Sequence, residues 1–278
     1  MSVVEITVII LLGGFLAGLL GALTGLGGGM IIVPLLAIGL GVNIRYAIGA
    51  SLISIIATSS GAAAAYVREG FTNIRIGMFL EIATTIGALI GAFIAGLVST
   101  SFIAIVFAAV LTYSAYASLR PRAEHITVDL SHPWSAALRL NGSYPTPDGE
   151  QAYGVQRIGT GFSLMLLAGT LSGLLGIGSG VVKVLAMDQA MRLPFKVSTT
   201  TSNFMIGVTA AASAGVYLRR GYIDPGLSFA VMLGVLGGAF VGSRLLTRTH
   251  PRRLRQIFAV VVILIAAEMV YKALTGRL

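Results

Sequence analysis

Gly25-Leu26-Gly27-Gly28-Gly29 lies between two apolar runs, and Gly176-Ile177-Gly178-Ser179-Gly180 lies in the same setting at an offset of 151 residues. That offset also pairs Gly18 with Gly169, Arg45 with Lys196, Ser51 with Ser202, Thr58 with Thr209, Tyr66 with Tyr217 and Arg68 with Arg219. Chance could align glycines in a chain holding 36 of them. It does not align a tyrosine, basic residues and hydroxyls in one register. The chain is an internal duplication.

Its bulk composition names the solvent. Hydrophobic residues make up 56% of the chain and charged residues 10%, with a mean hydropathy of +0.91. Soluble domains carry about 25% charged residues, whereas a bilayer accepts apolar side chains as outer surface. The net charge of +9 would suggest nucleic acid in a soluble protein. Here the basic residues flank apolar spans, so they read as topology signals and no nucleic-acid partner is expected. Without cysteine there is no disulfide, thiolate nucleophile or thiolate metal site. His125, His132 and His250 lie in polar stretches, so no metal and no cofactor is expected.

About 20 apolar residues cross a bilayer, and eight stretches qualify: Ile6–Thr24, Ala47–Val67, Ile76–Val98, Phe102–Leu119, Ile158–Leu175, Val197–Leu218, Leu227–Leu246 and Gln256–Tyr271. The long polar segment Arg120–Gln156 carries Asn141-Gly142 and Pro145-Thr146-Pro147-Asp148-Gly149, which are turn formers. The chain therefore divides into a first transmembrane repeat (1–119), a solvent-exposed polar linker (120–156) and a second repeat (157–278).

Charge decides how the halves are oriented. If Ile6–Leu40 crosses once, the basic residues split ten against eight, with no bias. If it folds back at the glycines, the split is thirteen against five with Lys183 left inside, as a cytoplasmic face requires. Thirty-five residues of continuous helix would also measure about 52 Å, against a bilayer core of about 30 Å. The expectation is an all-α polytopic transmembrane bundle of two inverted repeats, each a glycine-broken hairpin plus three spans. It sits in the cell inner membrane with a cytoplasmic linker and both termini outside. A fully spanning Ile6–Leu40 is the alternative.

A glycine run inside hydrocarbon frees backbone groups that protein, water or substrate must satisfy. A helix that starts there presents free N–H groups and a positive dipole end, which suits an anion. The candidate substrate residues are thus Gly25, Gly27, Gly28 and Gly29 with Gly176, Gly178, Ser179 and Gly180. Tight packing at a hairpin tip is the competing use of the same glycines. A dinucleotide loop is rejected, since no strand precedes Gly25 and no acidic residue follows about 20 residues on.

Lys183, one turn past the second cluster, is a functional candidate because it is ionisable inside an apolar segment. Against that stand snorkelling to the interface and a pair with Asp188. Ser51, Ser202 and Asn203 could bind oxyanion oxygens, though hydroxyls also serve interhelical packing. Glu81 is the proton-coupling candidate, with Arg75 as its competing partner. Pro34 marks a kink. No catalytic carboxylate pair, nucleophile triad or metal cluster is evident, so no enzyme is expected.

The glycine-rich segment, the apolar half-helix, the basic residue and the Ser/Thr-rich span occur twice, with Pro34 in the first copy. Together with Thr200-Thr201-Ser202-Asn203 and Thr209-Ala210 they resemble the sulfite exporter TauE/SafE family over nearly the whole chain outside the linker. The resemblance implies an inner-membrane permease for small sulfur-containing anions such as sulfite or organosulfonates. By position it implies that the glycine clusters and the hydroxyl span line the path. The expected function is secondary transport of a small anion, with an anion channel of the same architecture as the alternative. Expected partners are that anion, the lipid bilayer and a coupling proton or sodium ion, with a homo-oligomer as a further option.

Overall fold

A computed structural model describes residues 3–24, 28–68, 70–119, 133–146, 149–246 and 251–275. The first half comprises α1 (Val3–Thr24), the short α2 (Gly29–Pro34), a wide π turn (Leu35–Gly39), α3 (Ile44–Arg68), α4 (Ile74–Ala95) and α5 (Thr100–Leu119). After α6 (Pro133–Ala137) and the strands β1 (Gly142–Thr146) and β2 (Gly149–Tyr153), the second half repeats that series. It comprises α7 (Ile158–Leu175), α8 (Gly180–Leu185), a π turn (Ala186–Ala190), α9 (Phe195–Arg219), α10 (Pro225–Leu246) and α11 (Pro251–Leu274). Each of the eight expected spans coincides with a helix. The protein is an all-α polytopic membrane protein, and among the described residues five stretches are long and apolar enough to cross a membrane: Val4–Gly21, Ile74–Ala95, Thr100–Leu119, Ile158–Leu175 and Pro225–Gly242.

The duplication extends to turn chemistry. Gly70 and Gly221, at φ +76 and +72, stop α3 and α9 in the left-handed conformation that glycine adopts without penalty. Three residues later, Asn73 Oδ1 accepts the Ile76 N–H (3.0 Å) and Asp224 Oδ1 accepts the Leu227 N–H (2.7 Å), starting α4 and α10. The π turns also recur at the same place. Pro34 is not their cause, because Leu185 holds the equivalent position in the second copy.

Glycine ladders set the helix pairs. Gly87 and Gly91 of α4 lie directly against the Leu166 and Thr170 carbonyls of α7, while Gly169 and Gly173 lie against those of Thr84 and Ala88. Gly14 and Gly18 of α1 meet Gly234 and Gly238 of α10 in the same manner. A four-residue glycine repeat lets backbones touch, which is how helices adhere in a solvent as apolar as themselves. Both registers increase together, so α4 runs with α7 and α1 with α10.

The central pair behaves differently. Arg45 at the start of α3 stacks on Tyr222 just past the end of α9, and Ser59 packs on Gly207. Helices α3 and α9, equivalents in the two copies, therefore run antiparallel. Glu81 meets Thr209 and Ala92 meets Arg220, so α4 runs with α9. Since α7 and α9 then point the same way, the α8 segment between them has to retrace the path. The α2 segment does likewise, because α1 follows α10 and α10 returns from α9.

Large apolar side chains face outward along the helices, among them Met78, Ile82, Ile86, Phe93, Phe229 and Phe240. In water so many would mark aggregation; in lipid they are the expected surface. The linker is more structured than a polar tether. Its antiparallel hairpin pairs Gly142 with Tyr153, and Leu140, Tyr153 and Val155 are buried against Ile76 and Leu80 of α4. Asn73 Nδ2 donates to the Leu140 carbonyl (3.1 Å) and to the Tyr153 hydroxyl (2.8 Å).

Burial pushes the Tyr153 phenol above its usual value of 10.0, and the bond from Asn73 pulls the other way. A raised acid is favoured protonated in the folded state, so hairpin docking should hold fully below pH 10.0 and weaken as pH rises past it. Tyr153→Phe should lose about 1 kcal/mol of docking, read as faster proteolysis of the hairpin at neutral pH. An unchanged cleavage rate would remove this bond as the anchor.

Candidate substrate site at the repeat interface

Gly29, in the described end of the first glycine cluster, meets the second glycine turn beside Ser51 and Ile55 of α3. A Cβ built on Gly29 would stand 2.8 Å from Ser51 Oγ and 3.1 Å from the Gly176 carbonyl oxygen. The Ile55 side chain lies against both Gly29 and Gly178. Gly176 and Gly178 hold φ values of +65 and +70, and Ser179 follows at +43, where a side chain is uncommon. Gly28 accepts the Ile31 and Ile32 N–H groups at the base of α2 (both 3.1 Å). Gly25 and Gly27 lie outside the described residues.

Both candidate serines hold the second turn. Ser51 Oγ donates across the repeat boundary to the Gly176 carbonyl (2.7 Å), and Ser202 Oγ donates to that of Gly180 (3.3 Å). They satisfy carbonyls that the glycine break would otherwise leave bare in hydrocarbon. Ser179 is different: fully buried at the turn, its Oγ has no hydrogen-bond partner among the described residues. Asn203 is half-buried on α9, where its equivalent Leu52 is fully buried.

One turn beyond Ser179, Lys183 is 0% exposed, which disposes of snorkelling. Its Nζ donates to Thr209 Oγ1 (2.5 Å), and Thr209 Oγ1 lies 2.7 Å from Glu81 Oε1. The threonine hydroxyl therefore accepts from the ammonium and donates to the carboxylate. Thr85 Oγ1 also donates to Glu81 Oε1 (3.2 Å), whereas Glu81 Oε2 is buried without a partner among the described residues. Glu81 turns inward, away from the exposed Arg75 on the first turn of α4. A lone buried charge would cost several kcal/mol, so each ion is tenable here because the other is present. The triad spans the repeats, with Glu81 from the first and Lys183 and Thr209 from the second.

Glu268, the other carboxylate in a span, is 54% exposed on α11 and 4.0 Å from Lys272. Thr209 was not a sequence candidate. Its signal was the match to Thr58 at the repeat offset, but nothing local told this hydroxyl from its many neighbours.

Cation–aromatic pairs related by the repeat stand at the two ends of the bundle. Lys196 lies over the Phe71 ring (5.4 Å) at the linker end, and Arg45 over the Tyr222 ring (5.7 Å) at the other. The ends differ in closure. Arg45 donates to the Ala95 (3.1 Å) and Val98 (2.7 Å) carbonyls, and Tyr46 packs edge-on against Tyr222. At the linker end a cavity of about 270 Å³ opens between Phe71, Phe195, Lys196, Thr199 and Thr200.

A broken-helix duplication with charged groups at its core is a build that membrane transporters use, and the sequence comparisons point to transport. The profile of the sulfite exporter TauE/SafE family matches residues 10–269. The chain belongs to that family. Among curated relatives, the probable membrane transporter protein YunE of Bacillus subtilis is 26% identical over 274 residues, covering 96% of this chain and 98% of its own length. A probable membrane transporter protein of Xylella fastidiosa is 26% identical over 264 residues, covering 94% of this chain and 92% of its own. No solved structure matches. The TauE/SafE match runs through both glycine turns and the Glu81–Thr209–Lys183 triad. Membership makes the chain a membrane transporter.

Proposed function

We propose that the chain is a secondary transporter of small anions, with sulfite, organosulfonates and related sulfur-containing anions as the substrate class. The observation that carries this reading is the fully buried Lys183, one turn past the orphan Ser179 hydroxyl on a glycine turn. An ammonium and a free donor on one helix face, beside backbone released by glycine, are complementary to a small oxyanion. Enclosure favours a carrier over a channel of the same build, because ligand reaches Lys183 only if the bundle moves.

The opposed directions of α3 and α9 support inverted repeats across the membrane. Exchange of closure between the Arg45–Tyr222 end and the Lys196–Phe71 end would then give access from alternate sides. The charge bias supports a cytoplasmic linker in an inner membrane. Ser143 is exposed on the hairpin, and the chain has no cysteine. Ser143→Cys should therefore resist impermeant thiol reagents in intact cells and react after lysis. Labelling of intact cells would reverse the assignment.

The functional test is flux of labelled sulfite into proteoliposomes. Saturable uptake, competed by sulfonates and lost in Lys183→Met, is expected. Non-saturating flux at channel rates would favour the channel, and no flux or binding for sulfite, sulfate, thiosulfate or sulfonates would end the anion reading.

A further inference from the structure

We propose that Glu81 carries a coupling proton, and that protonating it releases Lys183 from its internal counter-ion to bind the anion, so that one proton travels with each monovalent anion. The inference rests on the anion-transport reading and adds to it the coupling ion and the device.

The argument is one of charge in a closed space. With the site empty, Glu81 and Lys183 are joined through Thr209 and sum to zero. An anion entering alone would leave a net negative charge among buried groups, and a proton alone a net positive one. Both are expensive where water is excluded. Only the doubly loaded site, with Glu81 neutral, Lys183 charged and the anion bound, returns to zero. The neutral empty and neutral loaded states are therefore the ones that can reorient, which is the condition for coupled transport. The proton has a place to go: Glu81 Oε2 is buried and without a partner among the described residues, while Oε1 takes the Thr209 and Thr85 hydroxyls.

The helices packed against the pair bring little further charge. Helix α7, packed along α4, carries no titratable or charged residue; α9 presents Thr209 at this level and keeps Lys196 and Arg219 at its two ends. Helix α5, which also contacts α8, carries no charge, and α8 itself brings only Lys183. Asp188 is buried on the following π turn, five residues from Lys183, while the carboxylate bridged to Lys183 is that of Glu81. A sodium ion would need a cage of several oxygens around Glu81, and the ammonium two bonds away already takes that charge.

The repeat offset supplies an internal control. The equivalents of Lys183, Thr209 and Glu81 are Ile32, Thr58 and Met232, and among the described residues Thr58 Oγ1 bonds back to its own helix, at Ser54 and Ile55, where Thr209 adds the two charged partners to a bond of that kind at Met205. The threonine exists in both copies, but the charges occupy one. The scaffold does not require them, so the ion pair belongs to the task.

The test uses full-length protein in detergent and in liposomes, with ethanesulfonate, whose charge is constant with pH, beside labelled sulfite. Binding of ethanesulfonate in weak buffer should take up about one proton per anion, and an inward-acid gradient should drive accumulation. In Glu81→Gln, proton uptake should vanish and gradient-driven accumulation fall at least tenfold. A single symmetric peak in size exclusion certifies the fold of this variant. Thr209→Val keeps both charges, and its proton uptake should persist with a shifted pH midpoint. Anion binding without proton uptake, or uptake unchanged in Glu81→Gln, overturns the coupling and leaves anion transport standing. If the wild type binds no anion, both fall. Should Glu81→Gln not fold, the wild-type proton count decides alone.

Discussion

Gly173→Leu should yield no monodisperse protein, whereas Gly159→Leu on the same helix should be tolerated. A Cβ on Gly173 would overlap the Ala88 carbonyl, with the Ala92 nitrogen 2.8 Å away, and these are backbone atoms of α4 that no rotamer can move aside. Gly91 approaches Thr170 and Leu174 from the other helix, so the seam cannot slide locally. Overpacking in a soluble core costs about 1–3 kcal/mol, and here the whole α4–α7 pair has to separate. No hydrophobic effect within lipid restores the contact. Gly159 has nothing within 4 Å, so side-chain bulk there meets open space. Size exclusion in detergent reads both outcomes, and a normal peak for Gly173→Leu would mean that the seam is looser than its geometry.

The second large effect is on transport. Gly178→Leu should insert normally and lose at least tenfold in sulfite flux. Two costs combine: a left-handed φ of +70, worth about 1–2 kcal/mol for a residue with a side chain, and a Cβ 2.9 Å from Ile206 Cγ2. Gly221 separates them. It has φ +72 with nothing within 4 Å, so Gly221→Ala carries the backbone strain alone and should keep flux within about threefold. Wild-type flux in Gly178→Leu would remove the turn from the path.

Much was legible beforehand. The helix class and the helix positions follow from hydropathy, and the duplication from a constant offset, while the charge count favoured a fold-back at the glycines; all are properties of the chain order. Glu81 and Lys183 stood out because an ionisable group in an apolar segment is conspicuous. Thr209, which joins them, was not visible in the chain order, and the pairings weighed against a transport role were local ones. Arg75 and Asp188 were the nearest charges in sequence, and chain proximity was the one measure of distance to hand. The serines looked like ligand groups because their type was visible and their acceptors, the Gly176 and Gly180 carbonyls, were not. The linker read as a tether because its polar turns hid Leu140, Tyr153 and Val155, which bury only once α4 stands beside them.

The glycine turns on which the fold depends therefore belong to both levels. Sequence alone favoured a break at each cluster over a fully spanning segment, since a glycine run weakens a helix and about 52 Å of continuous helix exceeds a bilayer core of about 30 Å. Only the tertiary structure decided that the two breaks meet, that Ser51 reaches across to stitch them, and that Glu81 of one repeat faces Lys183 of the other through Thr209. Those contacts depend on the antiparallel crossing of α3 and α9, a relation between segments some 150 residues apart, and periodicity along a chain carries no information about which distant faces will touch.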